Sequence, residues 1–198
     1  MRARRAAVEV AVLVGTALIL AVVLRATVAE AFRIPSASME PQLQVGDRVV
    51  VSRLAYHLHD PRRGDIVVFP CPPRAGCAPA AHDNAVMSAL HTVEEAVMLR
   101  EPQPEEYIKR VIAVPGETVE GRDGSVWIDG RRLVEPYLPP GTSTSDFPPQ
   151  KILPGHLWVM GDNRGNSSDA RVFGQIEQRS IVGRAIVRAW PPWRTAFL

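Results

Sequence analysis

Residues 6–24 form a stretch of 19 residues whose only charge is Glu9, and no other property of this 198-residue chain restricts its fold so strongly. As one helix, such a length suits a hydrocarbon core of roughly 30 Å. From residue 10 onward it holds ten strongly apolar side chains: Val10, Val12, Leu13, Val14, Leu18, Ile19, Leu20, Val22, Val23 and Leu24. At about −0.3 to −0.6 kcal/mol each near the helix centre, they favour insertion by on the order of −3 to −6 kcal/mol. Glu9 lies near the edge, where a carboxylate reaches the interface at lower cost. Arg2, Arg4 and Arg5 hold residues 1–5 in the cytoplasm and send everything after Leu24 outside. Two competing readings stay open. A basic start, an apolar core and Ala29-Glu30-Ala31 also describe a cleavable secretory signal. A buried helix of a soluble protein is the other, though such helices seldom keep 15 residues free of polar groups other than Thr16.

The material changes near residue 30, since all 18 prolines and 13 of the 14 glycines lie after residue 34. Beyond residue 31 the apolar positions come in short runs separated by turn residues, which predicts a mainly β domain over 32–198. Candidate strands are 48–52, 65–69, 107–114, 118–120, 125–128, 157–160 and 181–190. Asp129-Gly130 is a strong hairpin signal between Val126-Trp127-Ile128 and Leu133-Val134. One helical pattern interrupts the strands over 84–100, with Val86, Leu90, Val93, Val97 and Leu99 on an approximate 3.6-residue repeat. It belongs to an insertion, 71–106, that opens with a Pro-rich loop. Residues 136–149, with five prolines, read as a surface loop without regular structure.

Cys71 and Cys77 are the only cysteines. In an exported domain they predict a disulfide, with two free thiols as the alternative. With 23 basic and 21 acidic residues and no basic stripe, the chain carries no nucleic-acid footprint. Trp190-Pro191-Pro192-Trp193 near the C-terminus either dips into a membrane interface or packs on the β domain.

Three segments carry chemistry. Phe32-Arg33-Ile34-Pro35-Ser36-Ala37-Ser38-Met39-Glu40-Pro41 sets two hydroxyls at i and i+2 between stiffening prolines. Tyr107-Ile108-Lys109-Arg110-Val111-Ile112 places a lysine in an apolar run, where its charge is costly to bury. The stretch from Met160 to Arg171 is too densely polar for a routine turn.

With Gly46-Asp47, Arg63-Gly64-Asp65-Ile66-Val67 and Pro115-Gly116, these blocks resemble the bacterial type I signal peptidases, membrane-bound Ser-Lys endopeptidases. They follow the family's order and cover residues 32–174. The resemblance implies an antiparallel β-sheet peptidase domain with one N-terminal transmembrane helix, a short helical insertion and a small β subdomain over 117–155. It implies Ser38 as nucleophile and Lys109 as general base, with the Ser38 N–H and the Ser36 hydroxyl receiving the oxyanion and Ser167 orienting the lysine. Arg110, Asp162, Arg164, Asp169 and Arg171 match a supporting polar network, with Asp162 facing Arg110. Phe32, Ile34, Met39, Leu43 and Ile108 match positions that line the pocket for small residues before the cut. No metal and no cofactor is implied. The expected partners are signal-peptide-bearing preproteins and the lipid bilayer, not nucleic acid, and the expected state is a monomer.

An ordinary lysine, with a pKa of about 10.4, is deprotonated in only about one molecule in 2,500 at neutral pH. A useful base requires a fall of roughly three pH units, about 4 kcal/mol, which desolvation by Ile108, Val111 and Ile112 can supply. The five histidines (His57, His59, His82, His91 and His156) lie outside the matched blocks, which disfavours a Ser-His-Asp triad. Gly165 stands where the family usually has an acidic residue, so a local salt bridge is expected to be missing. The expected activity is removal of signal peptides at Ala-x-Ala sites. The alternatives are a Ser-Lys peptidase dedicated to one conjugation or pilin-like precursor, and a non-catalytic membrane scaffold.

Overall fold

The structure, a computed structural model, describes residues 9, 12–16, 29–72, 75 and 106–198. The membrane helix expected over 6–24, the helix expected over 84–100 and the Cys77 end of the expected disulfide lie wholly or largely outside the described residues. Residues 9 and 12–16 are helical, and among the described residues no helix is long and apolar enough to cross a membrane.

The strands are β1 (Ala29–Arg33), β2 (Arg48–Ser52), β3 (Ile66–Pro70), β4 (Glu106–Ala113), β5 (Thr118–Arg122) and β6 (Ser125–Ile128). They continue with β7 (Arg131–Arg132), β8 (Phe147–Lys151), β9 (His156–Met160), β10 (Ile176–Glu177), β11 (Gly183–Trp190) and β12 (Ala196–Phe197). The larger sheet runs β1-β2-β11-β3-β4-β9-β10 with β12 added to β11, and a smaller one runs β7-β6-β5-β8. Neighbours pair antiparallel throughout. The mainly β reading is therefore correct.

Ile66-Val67-Val68-Phe69 lacks polar alternation because both faces of β3 are covered. Val67 and Phe69 enter one core with Val111, Leu157, Val159 and Phe173, whereas Ile66 and Val68 enter a second with Phe32, Ile34, Met39 and Leu43. Burial of each such side chain is worth about 1.5–3 kcal/mol relative to leaving it in water. Val119, Val126 and Ile128 of the smaller sheet join the first core, so both sheets share packing around β4 and β9.

The predicted strands 48–52 and 125–128 have the observed ends, and the other five shift by one or two residues at their ends. The Asp129-Gly130 hairpin forms as expected. Ile128 pairs with Arg131, and φ is 48° at Asp129 and 75° at Gly130, as a two-residue primed turn requires. The loop reading of 136–149 needs correction, because β8 begins at Phe147 and pairs Thr118 with Lys151 and Val119 with Gln150. Pro148 and Pro149 are tolerated there because β8 is an edge strand.

The 3-10 turn Pro192–Arg194 leaves Trp193 82% exposed, while Trp190 lies partly under the Arg48 guanidinium. Of the two readings for these tryptophans, close packing of Trp193 on the β domain is thereby excluded.

Candidate active site

Ser38 sits in a single 3-10 turn, Ala37–Met39, entered from extended backbone at Ser36 after Pro35. Lys109 projects from β4, which is hydrogen-bonded on both sides by β3 and β9, so its backbone is firmly held. The two residues are 71 positions apart, yet Lys109 Nζ lies 2.8 Å from Ser38 Oγ. The amine also donates to the Ile108 carbonyl at 2.9 Å and stands 5.0 Å from the Tyr107 ring centroid. Ser38 is 8% exposed and Lys109 3%. Burial pushes the lysine pKa down from 10.5 to about 8, against the opposing pull of the Asp169 and Asp162 carboxylates. About one amine in ten is then neutral at pH 7. Ser36 Oγ lies 3.2 Å from Ser38 Oγ.

A chain of ion pairs frames this pair. Arg110, next to Lys109, grips Asp162 with two hydrogen bonds, Nε to Oδ1 at 2.8 Å and Nη2 to Oδ2 at 2.7 Å. Asp169 accepts two bonds from the Arg171 guanidinium, both at 2.8 Å, one from the Arg171 N–H at 3.2 Å and a fourth from the Gly161 N–H at 3.0 Å. Arg164 pairs with Glu135 and donates to Thr144 Oγ1 at 2.7 Å. Tyr137 closes the frame, with its hydroxyl donating to Glu135 at 2.6 Å and its ring 4.0 Å beneath the Arg110 guanidinium. The five predicted network residues thus come together. Glu135, Tyr137 and Thr144 are additions that the sequence reading missed, because they stand in a Pro-rich segment far along the chain from the arginines they meet, Arg164 for Glu135 and Thr144 and Arg110 for Tyr137. A lone Glu-Pro-Tyr amid prolines was the available signal. Gly165 is exposed with open space where a Cβ would point, and Arg164 has its ion pair with Glu135.

Ser167 Oγ is buried and has no hydrogen-bond partner among the described residues, while the lysine bonds Ser38 and Ile108. Ser167 packs instead on Gly161, where a Cβ would run into both Ser167 Oγ and the Ser38 carbonyl oxygen. Phe32, Ile34, Met39, Leu43 and Ile108 do gather in one cluster, but at 0–6% exposure they form a packed wall behind the serine. His59 and His156 contact nearby backbone carbonyls of Asp60 and Pro154. His82, His91 and the side chain of His57 lie outside the described residues.

A serine hydroxyl in contact with an amine that is partly neutral near pH 7, both nearly closed off from water, has the chemistry of a hydrolase with a nucleophilic serine. The sequence relationships agree: the profile of the family described as signal peptidase, peptidase S26, matches residues 7–190, and the chain belongs to that family. It is 39% identical to the signal peptidase I of Leptolyngbya laminosa over 180 residues, covering 90% of this chain and 77% of that one. It is 35% identical to the signal peptidase I of Mycobacterium tuberculosis (strain ATCC 25618 / H37Rv) over 215 residues, covering 94% and 73%. A crystal structure of a signal peptidase I from Enterococcus faecalis V583 is also similar, at 28% identity and a TM-score of 0.43, covering 63% of this chain and 95% of that chain.

Proposed function

We propose that this chain is a membrane-anchored serine endopeptidase that removes N-terminal signal peptides from exported preproteins at Ala-x-Ala-type sites, with Ser38 as nucleophile and Lys109 as general base. The observation that carries this reading is the buried 2.8 Å contact between Lys109 Nζ and Ser38 Oγ. In its neutral form the amine takes the hydroxyl proton as Ser38 Oγ attacks the scissile carbonyl carbon, and the π electrons move onto oxygen. The Ser38 N–H and the Ser36 hydroxyl donate to that oxyanion, each such donor being worth about 2.7–4 kcal/mol in comparable sites. Collapse breaks the C–N bond, and the leaving amine of the mature chain takes the proton from the Lys109 ammonium. Lys109, neutral again, takes a proton from water as the water oxygen attacks the ester carbonyl. On collapse the acyl–Oγ bond breaks and the Lys109 ammonium returns that proton to Ser38 Oγ, freeing the signal peptide's carboxylic acid, which ionises in water.

The anchor reading rests on the apolar stretch 6–24 and the three arginines before it. Four residues, 25–28, separate that stretch from β1, a span of at most about 14 Å when fully extended. The catalytic domain therefore lies against the outer face of the membrane, where a signal peptide's apolar segment delivers its cleavage site. Trp193 and Phe197, 82% and 89% exposed, offer that surface two aromatic rings.

The test is cleavage of a preprotein with an Ala-x-Ala site by wild type, Ser38→Ala and Lys109→Ala. Both variants are expected to be inactive, and full activity in either removes the mechanism.

A further inference from the structure

Asn163 reaches the serine turn from outside it, adding to the turn's own bond from the Glu40 N–H to the Ala37 carbonyl at 3.1 Å. Its side-chain Nδ2 donates to the Ala37 carbonyl at 3.1 Å, and its backbone N–H donates to the Ser38 carbonyl at 3.1 Å. One residue thus grips two consecutive carbonyls of a turn 126 positions away, and Ser36, the residue that caps this turn, makes no side-chain capping bond.

The Ala37 carbonyl and the Ser38 N–H belong to the same peptide group. That group is not among the cis bonds of the chain, so its C=O and N–H point in opposite directions. A donor fixed on the carbonyl side therefore sets the direction of the N–H on the other side. It also polarises the peptide, which strengthens the N–H as a donor. The second bond restrains the peptide that follows Ser38, so the residue is clamped on both flanks. Gly161 completes the arrangement, since a side chain there would strike the Ser38 carbonyl and push the turn off Asn163.

We propose that Asn163 is a positioning residue for the oxyanion: through the Ala37–Ser38 peptide it aims the Ser38 N–H at the developing charge. This rests on the Ser38–Lys109 reading above. Asn163 does not touch substrate. Its influence falls on the transition state, where the oxygen becomes an anion, and not on ground-state binding.

The experiment uses the full chain in lipid or detergent, with Asn163→Asp beside Asn163→Ala. The aspartate variant keeps the side chain's size and the backbone donor while replacing the amide NH2 by oxygen, so it reports even if the alanine variant folds poorly. Expected for both is a fall in kcat of roughly tenfold to a hundredfold with KM within about twofold. A peptide aldehyde ending in small residues, which forms a tetrahedral adduct on Ser38, should lose affinity by the same factor as kcat/KM. An Asn163→Asp enzyme with wild-type kcat overturns the inference, as does a loss confined to KM or unchanged aldehyde binding. Ser38→Ala separates the two levels of the argument: if it is active the underlying reading fails, and if it is dead while Asn163→Asp is normal only the positioning role fails.

Discussion

Arg110 and Asp162 face each other edge to edge, with two hydrogen bonds of 2.8 and 2.7 Å between side chains that are 7% and 0% exposed. The pair ties β4, the lysine strand, to the loop after β9, and the Arg110 guanidinium also donates to the Gly64 carbonyl at 2.8 Å. Geometry this complete offsets the desolvation of both charges only while both are present.

Removing one partner should therefore be far worse than removing both. Asp162→Ala is expected to destabilise the protein by about 3–5 kcal/mol, since it leaves a buried guanidinium without its counter-ion. The double variant Arg110→Met, Asp162→Leu should lose less than the single one. Denaturant titration of the three proteins checks this, and equal losses in single and double variants would contradict it.

Activity should rise with pH through the neutral range. Lys109 loses its proton near pH 8, so the fraction of competent enzyme grows about tenfold per pH unit below that point and levels off above it. A pH profile of kcat/KM with its lower inflection near 8 is expected. An inflection near 6.5 would point to a histidine instead.

Stability should also rise with pH, over the window from about 8 to 10.5. The buried lysine binds its proton less tightly in the folded chain than in the unfolded one, with a pKa of about 8 against 10.5. Below pH 8 it is charged in both states and its burial costs roughly 3 kcal/mol, a penalty that fades as pH rises toward 10.5. Lys109→Met should be inactive yet more stable than wild type at pH 7, with the gap narrowing by pH 10. Thermal denaturation at both pH values measures it.

Gly161→Ala places a methyl against Ser167 Oγ and the Ser38 carbonyl. Overpacking of this kind costs about 1–3 kcal/mol, and here it also displaces the nucleophile's turn. Turnover is expected to fall at least roughly tenfold, in keeping with the sensitivity of catalysis to small misplacements. Turnover within a factor of two of wild type would show that the turn has slack.

Trp193→Ala should weaken binding of the catalytic domain to liposomes, because its ring is 82% exposed and held on a Pro-flanked turn. Sedimentation with vesicles compares the two, and equal binding ends the interface reading.

What could be read in advance divides by the range of the forces involved. Strands with a clear run or alternation, such as Arg48–Ser52 and Ser125–Ile128, announce themselves because burial sets their pattern locally. Phe147–Lys151 did not, since its prolines forbid a central strand and only its place at a sheet edge makes them harmless. Ala29–Arg33 was also hidden, following directly on an apolar stretch with a different period. In the site, Ser38, Lys109, Asp162 and Asp169 stood in recognisable blocks. The partnership of Arg164 with Glu135 and the grip of Asn163 on the serine turn depend on chain segments 29 and 126 residues away, which no local pattern encodes.

Strand β1 contains Ala29-Glu30-Ala31, a match to the motif that the proposed enzyme cuts. Ala29, Glu30 and Ala31 are matched to Ser52, Val51 and Val50, and the following Phe32 is 3% exposed in the core. A peptidase acts on a strand that is free to leave its neighbours and lie in a foreign cleft. This one is already spoken for, and extracting it would mean opening the sheet edge and emptying part of the core that backs Ser38. On the proposed reading, self and cargo would be told apart by availability and not by sequence, since the Ala29-Glu30-Ala31 motif is held in a paired strand.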